Sequence, residues 1–558
     1  MAEKPASPAP DRRTQGSTSA GRGVLYIAFA KVYFILASAV IELRLPAVLG
    51  NTLFGAYKVV ASSVSPINNV IITGTIRTVS RAVAQDREHA RAIQAAGMRL
   101  QIVLGLVIAA AFIGLAPLTA RFYHDVDKTG PLMLAGLIIA GYSFYAVFVG
   151  TANGLHQFHK QAGLDICFAS LRAVGILGMA ILGFGAIGAI AGWVGAVVAI
   201  LIVAAVVIGL PVRTAGAAVP IAPMIRYFAG VAVYLIFLNL VMFVDQILLK
   251  RLSSEWFFAH RHALWDAIAQ LPAWARSDLG PQGWFVHAFD SLPPWAVAMV
   301  RDGIDPARAA DGQVGYYAAV QNLARLSYQA IIAATFVVFP LISRSTFDSD
   351  REATRRYIHT TLRYATLLAV GIAVVFAANP GPLLDIPYQS DYARMGGDAL
   401  VALALGNVAF SIFAIAGTML HGAGLTGRAI IACVATFAVA AAANAIAIPR
   451  TVPGPEMLLA CAVATASAMG VGAVISGIFL RRSLGAFLPP LTLIRAALAG
   501  SVAIFAGRAI PWVSPLGTLA EAAVVGLLFA AMLVVLGELS RRDLALVKSS
   551  LSRRRGPS

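Results

Sequence analysis

Apolar residues run in long stretches along nearly the whole chain, and polar positions gather in short segments between them. The stretches approach the ~20 residues that a helix needs to cross the hydrocarbon layer. Backbone groups in lipid must pair within their own segment, and no period-two alternation marks a barrel. The pattern therefore predicts an all-α polytopic membrane protein with about fourteen transmembrane helices. They are expected near 24–43, 55–79, 97–118, 131–153, 164–184, 186–210, 223–249, 314–341, 361–378, 398–420, 428–448, 456–480, 488–509 and 517–537. Two junctions are soft. The fifth and sixth spans run together through Gly183, Gly185 and Gly188, and the thirteenth begins at Pro489-Pro490.

One stretch has an echo. Arg44 to Arg81 opens with a glycine-containing turn and ends in Ser80-Arg81; Gly315 to Arg344 opens on Gly-x-Tyr and ends in Ser343-Arg344. Gly55 and Gly315 lie 260 residues apart, as do Tyr57 and Tyr317. A repeat this long in an apolar chain suggests two membrane bundles on one plan, with function in the cavity between them. The expected division is a disordered basic tail at 1–22, an N-lobe at 23–215, a C-lobe at 216–480, two further helices within 481–540, and a basic tail at 541–558.

Composition agrees. Hydrophobic residues make up 59% and charged residues 12% of 558, and the mean hydropathy is +0.78. The net charge of +17 does not point to nucleic acid, because most Lys and Arg fall in alternate short connections and in the tails. With both termini cytoplasmic, the basic connections lie inside, as the positive-inside rule requires. This predicts a multi-pass protein of a bacterial inner membrane. The three cysteines lie within apolar runs without metal-ligand spacing and read as packing residues.

Residues 251–313 do not fit a compact bundle. They carry five tryptophans, Trp256, Trp265, Trp274, Trp284 and Trp295, broken up by Pro272, Pro281 and Pro293-Pro294. Tryptophan favours the headgroup level, so this insert is expected at the outer membrane boundary, as an ornament or as a lid over the cavity mouth.

Ionisable groups deep in apolar spans cost energy and face protein or water. Lys31, Lys58, Asp245 and Arg325 stand out, on the first two spans of each proposed half. Three cations and one anion suit an anionic ligand. Their structural readings are a snorkelling Lys58 and an Asp245 paired with Arg325 or Lys31. Asn68 and Asn69 on the second span, Asn239 on the seventh, and Gln321 and Asn322 on the eighth extend the polar set as cavity-lining candidates. No metal site, cofactor, catalytic constellation or phosphate-cradling glycine loop is evident, so the chain is not read as an enzyme.

These residues resemble a known family. LPAVLGNTLFGAY after Arg44 is similar to the opening signature of prokaryotic polysaccharide transporters, in the multidrug/oligosaccharidyl-lipid/polysaccharide (MOP) flippase superfamily. VGYYAAVQNLARLSYQAIIAATFVVFPLISR at 314–344 resembles the matching stretch of the second half. TANGLHQFHKQAG at 151–163 and MLHGAGLTGRAII at 419–431 resemble the loops closing the fourth and tenth spans. The resemblance covers roughly 23–480 and leaves out the Trp-rich insert. It implies two six-helix lobes in a V around a central cavity, plus two C-terminal helices. It also implies a polyprenyl-diphosphate-linked oligosaccharide as cargo, moved between leaflets by alternating access, with membrane lipid as a partner. A cationic cavity would hold the diphosphate, and by position Lys31, Lys58 and Arg325 are the candidates. Asp245 is the candidate for coupling to H+ or Na+. The competing readings are a lipid II flippase, a multidrug/cation antiporter on the same scaffold, and a membrane glycan polymerase or ligase using Arg261, His262, Asp266 and Arg276 of the insert.

Overall fold

The computed structural model describes residues 12–211, 220–269, 293–302, 305–328, 350–388, 390–510 and 514–539, and every regular element among them is a helix. Eleven described segments are long and apolar enough to cross a membrane. Two of these, Tyr26–Gln85 and Phe158–Ile208, contain a break, and each supplies two of the expected spans. The eighth span is described as far as Tyr328; its residues 329–341, with the Ser343-Arg344 end of the repeat, lie outside the described residues.

The breaks are glycine-made. α1 (Arg12–Gln85) is interrupted at Gly50, where φ is +73°. A side chain disfavours that conformation, so the chain leaves one helical arm there and starts another. α2 (Ala90–Phe122), α3 (Thr129–Gly154) and α4 (Phe158–Met179) follow. After α4, a short π-turn with Gly183 at φ +87° and Gly185 at +61° leads to α5 (Gly185–Ile208). α4 and α5 cross closely. A Cβ on Gly175 would sit 2.3 Å from the Gly192 carbonyl oxygen, and one on Gly192 would sit 2.0 Å from that of Gly175. Small residues at such a crossing let two backbones touch where lipid offers no hydrophobic drive.

The second half begins with α6 (Ala222–Ala259), which passes well beyond the expected end of the seventh span. α7 (Arg261–Ala269), α8 (Pro294–Arg301) and α9 (Pro306–Ala324) follow. Proline opens α8 and α9, and the Asp305 carboxylate caps α9 by accepting from the amides of Ala307 and Arg308. The insert is thus shorter than expected. Its first residues extend α6 and its last begin α9. The two ends meet in a small core of Phe257, Leu264, Ala296, Met299, Ala309 and Ala310, with the rings of Trp256 and Trp295 5.5 Å apart. Trp274 and Trp284 lie outside the described residues.

α10 (Arg351–Ala378), α11 (Pro380–Asp385), α12 (Ser390–Gly422), α13 (Thr426–Ala447) and α14 (Pro455–Leu484) complete the half. α15 (Pro490–Arg508) and α16 (Pro515–Val535) pack on α10 through a separate core that includes Val374, Ala499 and Phe529. The amino-terminal tail departs from expectation, because α1 is already helical from Arg12. Once the first span has formed, polar residues propagate its helix at little cost compared with starting a new one.

The halves meet around the repeat. A Cβ on Gly55 would lie 1.8 Å from the Asp311 carbonyl oxygen, and one on Gly315 would lie 2.4 Å from that of Asn51. The echoed glycines therefore let the second arm of α1 and the start of α9 touch backbone to backbone. Asn51 Nδ2 donates to the Gly312 carbonyl at 2.9 Å, fastening the same crossing.

Candidate functional site

Four positions on the first arm of α1 share one face at helical spacing: Lys31, Phe34, Ser38 and Glu42. Each finds a partner on another helix. Lys31 Nζ lies 2.9 Å from Asp165 Oδ2 on α4. Two turns along α4, Arg172 donates to Ser38 Oγ at 3.0 Å, and its guanidinium lies over the rings of Phe34 (5.3 Å) and Trp193 (5.8 Å). Glu42 pairs closely with Lys58 on the second arm. Asn322 on α9 joins both, donating to Glu42 Oε2 at 2.9 Å and accepting from Lys58 Nζ at 3.3 Å. One turn beyond Asn322, Arg325 donates to the Met242 carbonyl and lies 4.9 Å from the centre of the Phe243 ring. A ladder of charged and polar groups thus runs from Lys31 to Arg325 and crosses from one half to the other.

Asp245 sits apart from this ladder, fully buried on α6. Its Oδ2 accepts from Tyr317 Oη at 2.9 Å, Gln321 Nε2 at 2.7 Å and Thr465 Oγ1 at 3.5 Å, and its Oδ1 accepts from the Gln246 amide at 2.8 Å. Gln246 donates in turn to Gln321 Oε1. The carboxylate is held by neutral donors, with no cation at ion-pair distance among the described residues, so the expected pair with Arg325 or Lys31 is not formed. Asn444 donates to Thr465 Oγ1 at 3.1 Å, while its own buried Oδ1 has no partner among the described residues. Deeper on the second arm, Asn69 Nδ2 donates to Asn239 Oδ1 at 2.8 Å, a second link between the halves. Asn68 is buried with neither amide atom partnered among the described residues.

At the Gly50 end, four charges close the junction. Lys128 Nζ lies 2.9 Å from Asp125 Oδ2 and 2.6 Å from Asp311 Oδ2; Lys250 Nζ lies 2.9 Å from Asp125 Oδ2 and 2.8 Å from Asp311 Oδ1. Lys250 also donates to the Ala307 carbonyl at 2.8 Å. Asp125 and Lys128 belong to the first half, Lys250 and Asp311 to the second, and all four are buried. Burial alone would raise the Asp125 carboxyl, but Lys250 and Lys128 beside it outweigh that and hold it below its ordinary value.

Of the residues expected from the sequence, Lys58, Asn322 and Arg325 come together, and Gln321 turns to Asp245. Lys31 stands at the far end of the ladder, and Asn69 and Asn239 form a bridge of their own. Sequence reasoning missed Glu42, Asp165 and Arg172. Arg172 lies well inside the fifth span, where the rule that singled out Lys31 applies equally; Asp165 and Glu42 stand at the ends of their expected spans. The four-charge cluster was also missed, because its members fall at span ends where charge is ordinary.

The arrangement defines a class: a multi-pass membrane protein of two helical halves, joined by charged and polar side chains that pair across them. A family model described as "Polysaccharide biosynthesis protein" matches residues 20–272. No curated protein matches the chain. Among solved structures, the lipid II flippase MurJ in an inward closed conformation superposes with a TM-score of 0.66 at 11% identity, over 91% of this chain and 98% of its own. An inward-facing multidrug resistance MATE family transporter of the MOP superfamily gives 0.56 at 15% identity, over 83% and 99%. A MOP superfamily transporter from Pyrococcus furiosus gives 0.50 at 14% identity, over 83% and 95%. At such identities the likeness is one of fold. The family model covers the first half and part of the second, and the fold likeness spans most of the chain.

Proposed function

We propose that the protein flips a polyprenyl-diphosphate-linked oligosaccharide, a precursor of cell-surface polysaccharide, from the cytoplasmic to the outer leaflet of a bacterial inner membrane. The observation that carries this reading is the ladder from Lys31 through Lys58 to Arg325, which joins cations of both halves, two of them paired with carboxylates, through Asn322 within an apolar fold. A sugar head cannot cross hydrocarbon, whereas a polyprenyl tail is already at home there. The protein need only give the head a polar path while the tail stays in lipid. Lys31, Lys58 and Arg325 supply positive charge along that path, and rocking of the halves exposes it to each side in turn. An inside-negative potential favours outward movement of an anion by about 2.3 kcal/mol per charge per 100 mV. Asp245, with Tyr317, Gln321 and Thr465 around it, is the coupling candidate for H+ or Na+.

The test is a flipping assay with purified protein in vesicles and defined polyprenyl-diphosphate sugars. Outward transfer that needs the protein and falls when Arg325 is replaced by Gln supports the reading. Transfer of cationic dyes, with none of lipid-linked sugar, would replace it by the antiporter. A lipid II flippase is the second reading, favoured by the similarity in fold to MurJ. It is separated by offering a peptidoglycan precursor and a non-peptide oligosaccharide precursor in the same assay.

A further inference from the structure

The cations of the ladder are not equivalent. Lys31 and Lys58 each stand at contact distance from a carboxylate, Asp165 and Glu42. A cation so paired has most of its charge answered before any ligand arrives. Arg172 and Arg325 differ. Arg172 meets the Ser38 hydroxyl and two aromatic rings. Arg325 meets a backbone carbonyl and one ring. Neither has a carboxylate at ion-pair distance among the described residues; both lie within Coulomb range of Lys58, and Arg325 is also within that range of Asp245 and Glu42.

Their placement matters as much as their charge. Arg172 rises from α4 in the first half and Arg325 ends α9 in the second, with the Glu42–Lys58–Asn322 set between them. Ser38, which Arg172 touches, is one turn from Glu42; Asn322, which touches Glu42, is one turn from Arg325. A guanidinium is also the better phosphate ligand, since its planar fork gives two parallel donors where an ammonium offers a point charge. The rings beneath each guanidinium fix its plane without using its donors.

We propose that Arg172 is a direct phosphate-binding residue, acting with Arg325 to clamp the diphosphate of the cargo between the halves. The lysines, already paired, shape the field around it. This rests on the reading of the cargo as a polyprenyl diphosphate, and the experiment separates the two. Full-length protein in nanodiscs is titrated with a polyprenyl diphosphate, a polyprenyl monophosphate and the neutral polyprenol. Arg172→Gln and Arg325→Gln are each expected to weaken diphosphate binding at least tenfold and to leave polyprenol binding unchanged. Arg81→Gln removes one cation from the far end of the second arm, where Arg81 lies over Tyr227, and is expected to bind as the parent does. Arg172→Lys keeps charge and packing but not the fork. It is expected to lose threefold or more for the diphosphate and less for the monophosphate. If Arg325→Gln loses diphosphate binding while Arg172→Gln and Arg172→Lys keep it, the role of Arg172 is overturned and the cargo reading stands. If the parent protein binds all three lipids alike, the cargo reading fails and takes the clamp with it.

Discussion

Glu42 changes what Lys58 is. Alone at its depth, Lys58 would be a buried ammonium without a counter-charge; beside Glu42 it is half of a pair whose carboxylate stays partly exposed. Removing one partner of a sealed pair costs about 3–5 kcal/mol, because the other charge is stranded. With Glu42 partly exposed, Glu42→Gln is expected to cost about 2–3 kcal/mol, under that figure. Adding Lys58→Met should recover most of the loss, and thermal unfolding of the purified variants measures both. Asp245 calls for a different test. Asp245→Asn preserves shape while removing the charge at which Tyr317, Gln321 and Thr465 aim. In vesicles, this variant should transport at a rate that no longer responds to an imposed proton or sodium gradient. A rate that responds as the parent's does would remove Asp245 from coupling. Much of this was legible beforehand, since depth within an apolar run marked Lys31, Lys58, Asp245 and Arg325. What depth cannot reveal is which carboxylate answers which cation. Lys31 meets Asp165 across 134 positions of sequence, and no spacing rule reaches that far. The stripe of Lys31, Ser38 and Glu42 did hold a local signal, since three polar groups on one face of a first span imply polar groups opposite.

Among the helices, glycine sets distance. The Gly55 and Gly315 crossing leaves no room for a methyl group on either side. Overpacking usually costs about 1–3 kcal/mol. Gly55→Ala and Gly315→Ala are each expected to reach the upper part of that range, because the obstacle is backbone and cannot rotate away. Gly114→Ala in α2, where nothing lies within 4 Å, should instead gain up to about 1 kcal/mol from helix propensity alone. Thermal melts of the three variants in one detergent check the contrast, and equal losses at all three would remove the crossing as its cause. The helices themselves were well announced. Apolar runs placed them, proline opened α9, α11, α14, α15 and α16, and the soft junction between the fifth and sixth spans is a true glycine break. Hydropathy erred where polar residues stay helical. Lys250 to Ala259 continue α6 and Asp311 lies within α9, so charge was read as loop where it is a helix end packed against its opposite number.

For the molecule as a whole, the four-charge cluster is the main fastening at the Gly50 end. Lys250→Met would leave Asp125 and Asp311 to share Lys128, and should destabilise the protein by about 3–5 kcal/mol. Asp125→Leu added to it should cost less than the sum of the two single changes. Acid should act in the same place. A carboxyl held below its ordinary value contributes stability that is complete above that value and is lost as pH falls through the lowered one. With 3.8 as the ordinary figure for Asp125, stability is expected to be level from neutrality to about pH 4, and to drop below it. Asp125→Asn should be less stable than the parent from neutrality to about pH 4, approach it in stronger acid, and so show a shallower acid limb in a pH series of unfolding temperatures.

Two plus charges and two minus charges cancel within that cluster. An electroneutral clasp split this way is deaf to voltage: each half carries one cation and one carboxylate, so parting the halves moves no net charge through the field. It is also mute at a distance, offering a passing ion neither lure nor barrier. Whatever undoes it must therefore arrive by touch, through strain passed along the helices that carry Lys250 and Asp311 or the connection that carries Asp125.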